Sequence, residues 1–123
     1  MRRTSGFTVI ELLTALVIII VLTSLAFAQK NDLDASRRDQ QRKSNANAIY
    51  YALTNAYYLK NKYYPIKIDT ETLPYIDPAV FKPVGDPGGY TVRYRGFNCS
   101  DTQCKNFEVK VELEKEAAYK KSR

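Results

Sequence analysis

The sequence has no histidine and no tryptophan, and it has two cysteines, Cys99 and Cys104, in 123 residues. Without imidazole, two thiols cannot supply the four ligands of a zinc site. The side chain most often used as a general acid or base is missing as well. There is no nucleophile elbow, no phosphate-binding loop, and no carboxylate pair that the spacing places in one pocket. Gly85-Asp86-Pro87-Gly88-Gly89 is rich in turn residues but lacks the Lys and Ser/Thr of a phosphate loop, so it is read as a turn. The chain is therefore expected to be no enzyme and to hold no cofactor and no metal. Glycine and proline are also scarce: neither occurs between Phe7 and Lys62, so nothing in that stretch breaks a helix.

What is present suits one small domain with an added element. Apolar residues make up 45%, enough for a packed core, and ten of the fifteen aromatics are tyrosine. The formal charge is +6. From Gln29 onward 17 Lys/Arg face 12 Asp/Glu, a surplus that fits a soluble face or weak attraction to acidic surfaces better than a dedicated nucleic-acid site. The cysteines read as a disulfide if this region is exported and as free thiols if it stays in the cytoplasm. A bridge closing so short a loop contributes about 2 kcal/mol on the chain-entropy model.

Phe7 to Ala28 is a 22-residue apolar run whose only charge is Glu11. As a helix it spans about 30 Å, the thickness of a bilayer's hydrocarbon core. Arg2 and Arg3 precede it and belong on the cytoplasmic side, which places the remainder outside. Three readings compete. A secretory signal would use Ala26-Phe27-Ala28 as a cleavage site and release a binding domain that starts at Gln29. A plain single-pass anchor needs no cut. Neither explains Glu11, since a carboxylate inside a spanning helix costs about 2.5–3.5 kcal/mol at its centre, less near an end. The third reading cuts between Gly6 and Phe7. The new Phe7 amine then lies one turn from Glu11, and Glu11 can pair with the amine of a neighbouring copy, fixing register. Gly6 suits the cut because it lets an enzyme approach the backbone closely.

Gly6-Phe7-Thr8-Val9-Ile10-Glu11-Leu12-Leu13, behind a six-residue leader with two arginines, resembles the processing motif of type IV pilins and type II secretion pseudopilins. The resemblance implies cleavage after Gly6 by a prepilin peptidase, methylation of the Phe7 amine, and Glu11 as the assembly carboxylate. It implies partners too: the membrane, other copies in a helical filament, and pilus or secretion machinery with its ATPase. The implied location is a single-pass cell-membrane precursor with its C-terminal region outside the cytoplasm, then a cell-surface filament. The implied function is a major or minor pilin, with a pseudopilin of a secretion or DNA-uptake system as the alternative. Members often carry Pro or Gly partway along the apolar helix, where it can partly melt in the filament; this chain has neither, so its helix either stays continuous or extends by other means, and the subclass stays open.

Beyond Gln29, the pairs Asp34–Arg38 and Asp39–Lys43 are expected to support a helix through i,i+4 contacts. Ser36–Asn45 has no apolar residue and is read as a solvated face, or as charges that meet an adjacent subunit. Ala46, Ile49, Tyr50, Leu53, Ala56 and Tyr57 form one buried stripe, and Tyr64-Pro65 ends the helix. Pro65–Gly89 carries all five prolines and reads as loop, with Pro78–Phe81 as a possible helical turn. Two strands follow, Tyr90–Arg95 and Phe107–Leu113, each with one apolar and one charged face, linked by Gly96–Asn106 with Cys99 and Cys104 stapling the link. The fold class is α+β: a long N-terminal helix packed against a small antiparallel sheet. The expected segments are leader 1–6, apolar helix 7–28, amphipathic helix 29–63 and globular region 64–123.

Three surface features are weaker. Asp101 stands nearly alone, against the six or more oxygens calcium needs. Asn98-Cys99-Ser100 matches a glycosylation acceptor and is read as chance. Arg93, Arg95, Lys105 and Lys110 with Tyr90 and Tyr94 could bind single-stranded DNA, but Tyr90 and Tyr94 share the apolar strand face and are read as core.

Overall fold

The computed structural model describes residues 6–84 and 89–123. The Gly85–Gly88 part of the expected turn, and Arg2 and Arg3, lie outside the described residues. The chain falls into two units, Met1–Asp34 and Ala35–Arg123.

Helix α1 runs Val9–Tyr51, as the absence of Gly and Pro allows. Its hydrogen-bond ladder loosens to a π-helical segment at Ala52–Tyr57 and closes as α2, Tyr58–Asn61. Lys62 takes the left-handed conformation, φ 65°, and ends the helix just ahead of Pro65. The π-helical segment changes which residues face inward. Ala46, Ile49 and Leu53 are fully buried as their spacing requires, but Thr54 joins Leu53 inside. The Thr54 hydroxyl is satisfied by donating to the Tyr50 carbonyl at 3.0 Å.

The sheet has four antiparallel strands: β1 (Tyr64–Pro65), β2 (Arg93–Ser100), β3 (Gln103–Val111) and β4 (Tyr119–Ser122). β3 is central. β2 flanks one edge; β1 and β4 share the other, β1 against Cys104 and β4 against Glu108–Val111. The molecule is α+β, with one long N-terminal apolar helix and a small antiparallel sheet. Within the second unit, Ala46, Ile49 and Leu53 meet Tyr64, Leu73, Cys104, Phe107, Val109 and Val111 in one core.

Several expectations are corrected. Gly96–Asn106 is not a link: β2 and β3 run through it and turn tightly at Asp101-Thr102, with Asp101 at φ 55°. Tyr90 lies outside the strand, bridged to Val84. β1 and β4 are additions; two and four residues are too few to show a period of two. Pro78–Phe81 does form a 3-10 turn, capped by the Asp77 carboxylate at 2.8 Å from the Ala79 N–H.

Candidate functional site

The first unit presents its apolar side chains outward. Phe7 is 86% exposed and Ile10 71%, and the run continues through Phe27. Every hydroxyl in the run is satisfied within the helix: Thr14 donates to the Glu11 carbonyl (2.9 Å), Thr23 to the Ile19 carbonyl (2.9 Å) and Ser24 to the Val21 carbonyl (2.8 Å). A spanning helix must meet that condition, because lipid offers polar groups no partners. The helix is long and apolar enough to cross a membrane.

At its start Thr8 and Glu11 form a capping box. The Thr8 hydroxyl oxygen accepts from the Glu11 N–H at 3.3 Å, and Glu11 Oε2 accepts from the Thr8 N–H and hydroxyl, both at 3.1 Å. Thr8 is the N-cap and Glu11 the third helical residue. The Thr-x-x-Glu spacing that signals such a box is present in the sequence. The box uses only Oε2; Oε1 accepts nothing among the described residues. Among the described residues, Glu11 thus keeps one oxygen without a hydrogen bond, one turn from Phe7. The backbone N–H that Thr8 contributes survives a cut between Gly6 and Phe7.

In the second unit the polar stretch Ser36–Asn45 is solvated at Ser36, Arg37, Gln40, Gln41 and Ser44, as expected, but its other side is not. Asp39 and Arg42 are buried and joined at 2.8 Å. Asp39 also accepts the backbone N–H groups of Glu114 and Lys115, both at 2.9 Å, while Arg42 donates to the Val84 carbonyl at 2.7 Å. Arg38 forms a two-bond fork with Glu114, 2.8 and 2.7 Å, Arg42 meets Glu114 at 2.7 Å, and Lys43 reaches Glu116 at 2.6 Å. The expected pairing of Asp39 with Lys43 is therefore replaced by contacts to residues 114–116 of the same chain. Burial pushes the Asp39 carboxyl up, but the two backbone N–H groups and Arg42 outweigh it and hold the carboxyl below its usual range. The Arg38 fork is the main cause holding Glu114 down at about 2.

Cys99 and Cys104 are bonded and face each other across β2 and β3. Asn98 donates its amide to Asn106 Oδ1 at 3.0 Å. The proposed DNA patch comes apart. The Tyr94 ring packs on Phe107 and its hydroxyl donates to the Pro65 carbonyl. Tyr90, contrary to expectation, is at the surface, with the Arg42 guanidinium 4.5 Å above its ring. Lys105 lines a separate hollow of about 460 Å³ with Tyr58, Lys62 and Gln103.

Comparison with protein families gives one finding. The model of the prokaryotic N-terminal methylation motif matches residues 1–27. No curated protein and no solved structure matches the chain. The chain thus carries the precursor signature shared by type IV pilins and pseudopilins. Its long apolar helix and small sheet are a pilin-like arrangement.

Proposed function

We propose that the chain is a structural subunit, a major or minor pilin, of a type IV pilus-like surface filament. The observation that carries this reading is the methylation motif at the head of an apolar helix whose hydroxyls are all bonded within the helix. A prepilin peptidase cuts between Gly6 and Phe7, and the Phe7 amine is methylated. The subunit waits as a single-pass membrane protein, with Arg2 and Arg3 inside and the second unit outside. Assembly machinery then draws it into a helical stack, with energy from a partner ATPase, since head-to-tail contacts that do not close generate fibres. In the stack, Glu11 Oε1 receives the Phe7 amine of a neighbour while Oε2 keeps capping its own helix. Pairing makes the carboxylate tolerable away from water and penalises misaligned neighbours.

Mass spectrometry of the native N-terminus tests the processing step. The expected product begins at N-methyl-Phe7. A product beginning at Gln29 would instead establish the released binding domain, and an intact N-terminus the plain anchor.

A further inference from the structure

Side-chain contacts fix the two faces of the sheet. Tyr94 packs on Phe107, Tyr119 donates to Asn47 (3.0 Å), and the Lys121 ammonium lies 4.7 Å from the Tyr51 ring centre. These residues face the helix. Strand alternation therefore puts Arg93, Arg95 and Phe97 of β2, Glu108 and Lys110 of β3, and Lys120 of β4 on the opposite, outer face.

The register then makes an uncommon row. Arg93 pairs with Lys110, and Lys110 pairs with Lys120. Three cations stand in directly opposed positions across three strands. Like charges placed so destabilise a sheet, and nothing in the packing requires them. Two acids sit among them. Glu112 meets Lys110 at 2.7 Å, and its carboxyl is held low first by Lys110, then by Arg93 and Lys120. Glu108 stands opposite Arg95. The face keeps four cations against two anions. Phe97 lies on the same face, 38% exposed, with the Arg95 guanidinium 5.3 Å from its ring centre.

We propose that this outer face binds single-stranded nucleic acid. Phosphates follow the Arg93–Lys110–Lys120 row, which spans about 10 Å at the usual strand spacing, and an unstacked base lies on the Phe97 and Arg95 planes. A cationic track beside an exposed ring is the combination that binds single strands without sequence preference. A duplex hides its base faces from Phe97. The site goes beyond the filament reading and does not depend on it. It also replaces the sequence-based patch, keeping Arg93, Arg95 and Lys110 but exchanging Tyr90, Tyr94 and Lys105 for Phe97 and Lys120.

The test uses the full chain in neutral detergent micelles and a fluorescent 20-nucleotide oligo-dT, read by anisotropy across a salt series. With three phosphates neutralised, the log–log salt slope of the association constant should be about −2, and Arg93→Gln or Lys120→Gln should each reduce its size by about 0.7. Phe97→Ala should weaken binding about tenfold and leave the slope unchanged. Because the row is repulsive, Arg93→Gln and Lys120→Gln should leave the melting temperature level or raise it, so weaker binding cannot be ascribed to misfolding. No binding at low salt would overturn the proposal. So would binding that ignores Phe97→Ala and is matched by heparin, which would mark a general attraction to polyanions.

Discussion

At the scale of single residues, Glu11 has one partner within its own subunit, and the proposed filament gives it a second. Within the subunit it completes a capping box with Thr8, so its presence at the mouth of an apolar run has a local cause. Thr8→Val removes the cap and leaves the carboxylate, at a cost to the helix start of about 1 kcal/mol. Hydrogen exchange in micelles should show faster exchange of the Glu11 amide, with cleavage after Gly6 unaffected; unchanged exchange would mean the box does not form. Gly96 is a second position where one atom decides. A Cβ there would lie 2.5 Å from Cys104 Sγ and 3.3 Å from Cys99 Sγ, and the bonded sulfurs cannot swing aside. Gly96→Ala should destabilise by about 1–3 kcal/mol, the range of an overpacked core. Melting with and without reductant checks the cause: reduction should narrow the gap between variant and parent, because free thiols can rotate away.

At the scale of elements, the second unit is held by polar contacts where a solvated helix face was expected. Residues 114–116 are clamped to α1 by Asp39, Arg38, Arg42 and Lys43. Removing one member of a buried ion pair leaves the other without compensation. Asp39→Ala should cost about 3 kcal/mol in denaturant unfolding, the lower end of that range, because Arg42 keeps Glu114 and the Val84 carbonyl. The clamp also sets a pH dependence. Glu114 at about 2, against an ordinary 4.5, and Asp39, also lowered, bind protons more weakly folded than unfolded. Their stabilisation is complete above about pH 4.5 and disappears as pH falls toward 2. The melting temperature should drop across that window, and Glu114→Gln should flatten the drop; a parent curve level down to pH 2 would contradict the clamp.

The same elements show what the sequence could reveal. The helix and the stripe Ala46, Ile49, Leu53 were legible because a 3.6-residue period needs no tertiary knowledge. The inward Val109 and Val111 were legible through alternation. The Asp39 clamp was not, because the donors to its carboxylate are backbone N–H groups about 75 residues away and no local spacing points to them. Nor was the burial of Thr54, which follows from the π-helical segment rather than from any residue pattern. The Arg93–Lys110–Lys120 row required β4 and the register, neither of which four residues can announce.

At the scale of the whole molecule, the first unit displays a long run of exposed apolar side chains, a surface that calls for apolar cover. In the proposed filament, assembly supplies that cover and the Glu11–amine contact sets the register in which it happens. Charge and capping are separable here. Glu11→Gln keeps an oxygen for the Thr8 N–H but loses the charge proposed to draw a neighbour's amine, whereas Thr8→Val loses the cap and keeps the charge. The most direct test is the yield of sheared surface filaments from cells producing Glu11→Gln, measured beside the processed state of the subunit. The expected result is a subunit cut after Gly6 and retained in the membrane, with filaments reduced at least tenfold, while Thr8→Val still assembles. Filaments at parental yield from Glu11→Gln would contradict the account.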